Sequence, residues 1–276
     1  NISQLSQITF KPDPGGIGAV GSFDFTVMEN RGGHAEGSIP ITVTQSNRPP
    51  VVAGERALRV AVAQLGLETP SDPDGDPLEL LITPGATGAL INITQTYLRE
   101  ASALVFEPYY PYHRHILNEL GGSTEVLSLH GEKLELDADE LRARCRELKN
   151  RKVFPMRAII VSTPVNPTGK VFHRRDLESI AAVCQEFDLL CVADEVYEHY
   201  VIGSQPHISI ATLPGMWERT ITVNSFSKSW NISGWRLGYV YGDARLVSPL
   251  NKANNLFYVC SPTPLQRALS EVLMTD

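Results

Sequence analysis

Short apolar runs alternate with helical patterns over about residues 81–276, and this alternation restricts the possible folds more than any other feature. Apolar runs of this kind are typical of strands that are buried on both faces. They lie at residues 79–82, 103–106, 126–129, 157–161, 189–193, 221–223 and 237–240. Apolar residues at helical spacing occur between them, for example at residues 139–148 and 177–187. The pattern predicts an α/β fold with a mostly parallel sheet and helices on both of its faces.

Residues 1–80 follow a different pattern and are predicted to form a separate β-rich segment. Apolar and polar residues alternate at residues 22–27 and 39–44, as they do in half-buried strands. Glycine and proline pairs separate these stretches, which is typical of a sandwich-like module. Near the end of the segment, Asp72, Asp74 and Asp76 alternate around a glycine turn. Carboxylates at this spacing can converge on Ca²⁺, and the alternative interpretation is a solvated acidic turn.

Composition excludes several classes of protein. The net charge of −7 argues against a surface for nucleic acid or anionic membranes. No apolar run approaches the roughly 18–20 residues that span a bilayer, and no signal peptide is visible. The 4 cysteines form no Cys-x-x-Cys pair, which argues against a zinc site and suits a reducing compartment. We therefore expect a cytoplasmic protein, or a cell-surface one if the β-rich segment is a genuine surface module.

A lysine among small hydroxyl residues follows the apolar run 221–223. Lys228 lies in the sequence Ser-Phe-Ser-Lys-Ser-Trp, and Arg236 comes eight positions later. A lysine in a polar pocket can form a Schiff base with an aldehyde cofactor. Neighbouring hydroxyls and an arginine can hold a phosphate. Taken alone, however, such a lysine is more often a solvated surface residue.

Other candidate residues also follow apolar runs, where ligands of parallel sheets bind. The glycines of residues 85–88 precede a helix and leave its first N–H groups free for an anion, or form a plain turn. Asn166 opens an Asn-Pro-Thr-Gly stretch, which is a β-turn or a source of a hydrogen bond to a cofactor. Asp194 ends a buried run and needs a partner, which a protonated pyridine nitrogen would supply; the alternative interpretation is a structural ion pair or a helix cap. Tyr110 could stack on a flat ring or belong to the core.

Together, the stretches GATGAL, EPYYPY, NPTG, DEVY and SFSKSWNISGWRLGY resemble the large domain of the class I/II, fold-type I pyridoxal-phosphate aminotransferases. The resemblance covers about residues 81–276, or roughly half of such an enzyme. Residues 1–80 resemble partial cadherin-like repeats of large bacterial surface proteins, on residues 8–12, 21–27, 47–51 and 71–78. These resemblances predict two domains, 1–80 and 81–276.

The aminotransferase resemblance implies a role for each candidate residue. Lys228 would form the Schiff base and shuttle the proton, and Asp194 would pair with the pyridine nitrogen. The remaining cofactor contacts would come from Asn166 and Tyr197 at the phenolic oxygen, Tyr110 on the ring, and Ala86, Thr87, Ser225, Ser227 and Arg236 at the phosphate. The implied catalytic residues are Lys228, Asp194 and Tyr197. The implied reaction moves an amino group between an amino acid and a 2-oxo acid in a homodimer.

The sequence also departs from the family pattern. From the resemblance we expect residues 1–80 to stand where the family has its N-terminal arm, and we expect residues 1–276 to lack the small domain with its carboxylate-binding arginine. We therefore expect impaired transamination by this chain. Two alternatives remain open, namely a calcium-dependent adhesion module and another fold-type I activity such as a β-lyase or decarboxylase. The spacing of Lys228 and Arg236, together with the DEVY stretch, favours a transaminase.

Overall fold

The computed structural model describes residues 20–28, 34–42, 78–202 and 205–273. The strands are β1 Val20–Met28, β2 His34–Thr42, β3 Leu78–Thr83, β4 Ser102–Glu107, β5 Ser123–Ser128, β6 Met156–Ser162, β7 Leu190–Asp194, β8 Thr220–Ser225 and β9 Gly238–Asp243. The α-helices are α1 Gly85–Ile93, α2 Pro111–Glu119, α3 Ala138–Lys149, α4 Arg174–Glu186, α5 Phe226–Ser229, α6 Ala244–Val247, α7 Leu250–Tyr258 and α8 Thr263–Leu273. A π-helical turn, Thr94–Leu98, extends α1.

Strands β3 to β9 form one 7-stranded sheet in the order β3-β9-β8-β7-β6-β4-β5. The pairs from β5 through β4, β6 and β7 to β8 are parallel. Strand β9 is antiparallel to both of its neighbours, β3 and β8. Six strands therefore point the same way and β9 alone is reversed, so that β9 begins at the edge where the other six end.

Helices cover both faces of this sheet, as the sequence predicts. Side chains along a strand alternate between the faces, so that Ile159 of β6 belongs to one apolar cluster and Ile160 to the other. The first cluster packs against α3 and α4, and the second against α1, α2 and α7. Local sequence fixes the helix starts, and Asp137 caps α3 by accepting hydrogen bonds from the amides of Asp139 and Glu140.

Strands β1 and β2 form a separate antiparallel pair, in which Val20 faces Thr42 and Met28 faces His34. Residues 22–27 and 39–42 of the two stretches with alternating residues lie in these strands. The sandwich-like module and the boundary near residue 80 stay predictions, because residues 43–77 lie outside the described chain. Within the described ranges, no helix is long and apolar enough to cross a membrane.

Candidate active site

The reversed strand β9 brings three chain segments together at one edge of the sheet. Gly238, the first residue of β9, pairs with Thr83 at the end of β3 and with Ser225 at the end of β8. Because β3 and β8 both end here, the residues that follow them lie next to the residues that precede β9. The predicted site residues thus come from two neighbouring connections, with residues 85–88 after β3 and both the lysine segment and Arg236 between β8 and β9.

The start of α1 and the side chain of Arg236 form a cationic corner. No side chain caps the first turn of α1, so the amides of its first residues remain free donors. A Cβ atom added to Gly85 would lie 2.5 Å from Nη2 of Arg236, which shows how closely the guanidinium covers this turn. The guanidinium donates only to the carbonyls of Ser233 and Pro84, at 3.0 and 3.4 Å, among the described residues. A free helix N-terminus beside a cation favours an anion.

Two serines extend this corner from the side of the lysine segment. Ser225 caps α5, because its Oγ accepts a hydrogen bond from the amide of Ser227 at 3.1 Å. The hydroxyl of Ser225 also lies 2.8 Å from the hydroxyl of Ser227. Both serines are buried, and the hydroxyl of Ser225 also lies 3.1 Å from the carbonyl oxygen of Leu237, to which it can donate. Hydroxyls of this kind add donors for phosphate oxygens.

Asp194 is a buried carboxylate with a specific partner. It is the last residue of β7 and is 6% exposed. Nε2 of His113, on α2, lies 2.7 Å from Oδ2 of Asp194, and the amide of Val196 donates to Oδ1 at 3.4 Å. Because an ionised carboxylate can only accept, the imidazole donates and fixes the orientation of the carboxylate. The other oxygen keeps capacity for a further donor.

Tyr110 lies beside the His113–Asp194 pair, since the centres of the Tyr110 and His113 rings are 5.6 Å apart. Burial raises the pKa of its phenol, and the neighbouring Tyr112, Asp194 and Tyr197 raise it further, whereas Arg236 lowers it. The charges of both Asp194 and Arg236 therefore reach the same phenol. Tyr110 stacks on Tyr112, with ring centroids 5.2 Å apart, so the ring is part of an aromatic surface at the start of α2.

Lys228 faces the turn that follows β7. Its Nζ lies 5.6 Å from the centre of the Tyr197 ring. The hydroxyl of Tyr200 donates to the backbone carbonyl of Lys228 at 2.8 Å. The amine therefore points toward the DEVY turn, and Asp194 opens that turn.

Asn166 is a further predicted site residue. It lies in the turn after β6, which is closed by the hydrogen bond from the amide of Val165 to the carbonyl of Lys170. Strand β6 pairs with β7 through Ser162 and Asp194, so this turn is next to the carboxylate. No hydrogen bond joins Asn166 to the other candidate residues within the described chain. The predicted calcium ligands Asp72, Asp74 and Asp76 lie outside the described residues.

This arrangement fits pyridoxal phosphate in its charge and donor pattern. The uncapped helix start, Arg236 and the two serines form a site for a dianion at one end. The His113–Asp194 pair offers a buried acceptor for a protonated ring nitrogen. Tyr110 supplies an aromatic surface close to both, and Lys228 supplies an amine.

Sequence reasoning missed His113 as a partner of the carboxylate. The usable signal was that His113 lies three positions after Tyr110 and so shares its helix face.

Comparison with known proteins agrees with this geometry. Residues 45–276 match the family model "Aminotransferase class I and II". Human kynurenine–oxoglutarate transaminase 3 is 36% identical over 203 residues, which are 72% of this chain and 44% of that protein. Aspartate aminotransferase of Pyrococcus abyssi is 32% identical over 222 residues, which are 79% of this chain and 55% of that enzyme.

A solved structure gives the same result for the fold. N-succinyldiaminopimelate aminotransferase from Mycobacterium tuberculosis superimposes with a TM-score of 0.68 at 32% identity, over 83% of this chain and 59% of that one. The chain spans about half the length of the curated relatives it matches. Since the family match covers residues 45–276, which include every described element of the large sheet, the chain belongs to the class I and II aminotransferases.

Proposed function

We propose that this chain carries the cofactor site of a pyridoxal-phosphate-dependent transaminase, which moves an amino group between an amino acid and a 2-oxo acid. The observation that carries the proposal is that Asp194 at the end of β7 and Lys228 and Arg236 in the β8–β9 connection lie at one edge of the sheet, beside Tyr110 and Tyr197. Lys228 and Arg236 share one connection, whereas Asp194 and Tyr110 come from two other segments of the sequence.

Residues of opposite charge would bind opposite ends of the cofactor. Arg236, the first amides of α1 and the serine hydroxyls would bind the phosphate, which fixes the position of the cofactor. Asp194, oriented by His113, would hold a proton on the ring nitrogen. Bound pyridoxal phosphate supplies an electron-withdrawing ring that makes the Cα proton of an attached amino acid acidic.

Lys228 would then move that proton. Its Nζ would hold the cofactor at rest and, once an amino acid replaces it, would take the proton from Cα and return it to the cofactor carbon. Tyr197, whose ring lies 5.6 Å from Nζ, would donate to the phenolic oxygen together with Asn166. Tyr110 would cover the face of the ring.

An absorbance titration with pyridoxal phosphate tests the proposal. We expect a visible band in the wild-type chain that is lost in Lys228→Ala. Lys252→Ala is the matched control, because Lys252 is an exposed lysine on α7. A band that persists without Lys228, or that never forms in the folded wild-type chain, would rule out this site.

We also propose an assembly and a location for this function. Leu256, Phe257 and Val259 are large apolar residues that are exposed at the end of α7, which supports a homodimer. Sedimentation of the wild-type chain and of Leu256→Asp would test this, since a dimer should dissociate in the variant. The buried free thiols of Cys145 and Cys191 support a reducing, cytoplasmic compartment. The cadherin-like assignment of residues 1–80 and their calcium site remain proposals.

A further inference from the structure

Two hydrogen bonds tie the turn after β7 to the segment that carries the lysine. Oε1 of Glu198 accepts from Nδ2 of Asn224 at 2.6 Å. The hydroxyl of Tyr200 donates to the carbonyl of Lys228 at 2.8 Å. Tyr197 directly precedes Glu198, which makes the first of these bonds. The two hydrogen bonds therefore hold together the segments that carry Tyr197 and Lys228.

Asn224 links Glu198 to the phosphate side of the site. Its side chain is buried, and its Oδ1 accepts a hydrogen bond from the amide of Ser225 at 2.7 Å. Ser225 in turn holds Ser227 through its hydroxyl at 2.8 Å. An unbroken series of hydrogen bonds therefore runs from Glu198 through Asn224 to both serines.

The bond to Glu198 is the strong member of this series. A hydrogen bond to a carboxylate is shorter and stronger than one between neutral groups, and 2.6 Å agrees with that. The Glu198 side chain is 25% exposed, so solvent screens it only in part. Its other charged contact, with Nε2 of the exposed His199 at 3.5 Å, is longer and weaker.

We propose that Glu198 is a positioning residue, which holds the Ser225 turn in its cofactor-binding geometry through Asn224 without touching the cofactor itself. The inference rests on the proposed function, because it assigns Glu198 a role in the same site. Without the carboxylate, the amide of Asn224 is left buried with an unpaired donor. The Asn224 side chain would then turn to find another acceptor and release the amide of Ser225.

A metal site is the competing explanation for Glu198. Ligand atoms of Glu195, Glu198 and His207 all lie within 4.8 Å of one another, which would allow an ion to bind. Two observations favour the positioning role. Nε2 of His207 lies 3.3 Å from Oε2 of Glu195, so these two groups can neutralise each other. Oε1 of Glu198 is already occupied by the side chain of Asn224.

The test uses Glu198→Ala, Glu198→Gln and Asn224→Ala, each as the full chain. The control is Glu178→Ala, since Glu178 is an exposed residue whose ion pair is with Arg174 on the same helix. The first measurement is hydrogen exchange at the amide of Ser225 in cofactor-free protein. The second is the dissociation constant of pyridoxal phosphate from the visible band.

We expect Glu198→Ala and Asn224→Ala to speed exchange at Ser225 and to weaken cofactor binding, each roughly tenfold. Glu198→Gln should recover most of both effects, because its amide oxygen can accept the same hydrogen bond. Unchanged exchange and affinity in Glu198→Ala, beside a wild-type chain that binds the cofactor, would overturn the inference. So would a defect that appears in the wild-type chain when a chelator is added, since that points to a metal.

The two measurements separate the inference from the proposed function. If the wild-type chain binds no pyridoxal phosphate, the proposed function fails, and exchange at Ser225 still decides whether Glu198 holds the turn. Faster exchange in Glu198→Ala but not in Glu198→Gln supports the positioning role. Equal exchange in all variants refutes it.

Discussion

A methyl group at Gly238 should disrupt the phosphate corner more than any surface change. A Cβ atom at this position would lie 2.6 Å from the carbonyl carbon of Gly85 and 2.8 Å from the amide nitrogen of Ala86. Both are backbone atoms, so no flexible side chain can move aside. Gly238→Ala must therefore push β9 away from the first turn of α1, whose free amides we assign to the phosphate.

The size of the effect follows from the overlap. The carbon–carbon contact is about 0.8 Å shorter than an ordinary one, which begins at 3.4 Å. Extra groups in a packed region typically cost about 1–3 kcal/mol. For a domain of this size that lowers Tm by roughly 2–12 °C. Because the displaced amides and Arg236 bind the same anion, pyridoxal phosphate should bind roughly tenfold more weakly.

Thermal unfolding and the absorbance titration measure these two effects, and Gly234→Ala is the matched control. Gly234 lies in the same segment before β9, and a Cβ atom there would meet nothing within 4 Å. We expect wild-type stability and affinity in the control. Gly238→Ala with wild-type Tm and cofactor affinity would show that β9 and α1 are not packed as described, and the phosphate assignment would lose its basis.

Three further predictions concern buried polar groups. His113→Phe should lower the free energy of unfolding by about 3 kcal/mol in chemical denaturation, because it leaves the buried Asp194 without its partner; the exposed His115→Phe on the same helix should not. Burial lowers the pKa of His207, but the carboxylate of Glu195, whose Oε2 lies 3.3 Å from Nε2, outweighs burial and raises the pKa above its ordinary value. The contribution of this ion pair to the free energy of unfolding should be complete below about pH 6.5 and decrease as pH rises through the raised pKa of His207. His207→Gln should remove this part of the pH dependence. Parallel curves of unfolding free energy against pH for the wild-type chain and the variant would contradict the prediction. Asp194→Ala in a longer chain with measurable turnover should reduce kcat strongly, and an unchanged kcat would contradict the assigned role.

Much of the sheet could be predicted from sequence because its strands are buried on both faces. Runs such as residues 157–161 and 189–193 contain almost no polar residues; the first lies within β6, and the second forms β7 from Leu190 onward. The candidate residues after these runs could be predicted for a related reason, since parallel strands end at a common edge. Helices α3 and α4 were equally readable from their apolar spacing.

The partners of the site residues could not be predicted in the same way. His113 and Asp194 are 81 positions apart, and Glu198 and Asn224 are 26 apart. No local pattern states which distant polar groups will meet. The π-helical turn Thr94–Leu98 is another example, because its residues continue the apolar spacing of α1 and give no sign of a wider turn.

Local sequence does not determine the direction of β9, although the site depends on this direction more than on any other feature of the fold. An apolar run such as residues 237–240 looks the same whether its strand is parallel or antiparallel to its neighbours. If β9 ran parallel to β8, Arg236 would lie at the opposite edge of the sheet from Lys228, since a parallel strand begins where its neighbour begins. The reversal makes the segment between β8 and β9 leave and re-enter the sheet at one edge, through the pair Ser225 and Gly238. One short connection can therefore supply both the amine and the guanidinium of a single site, which explains why Lys228 and Arg236 are only eight residues apart.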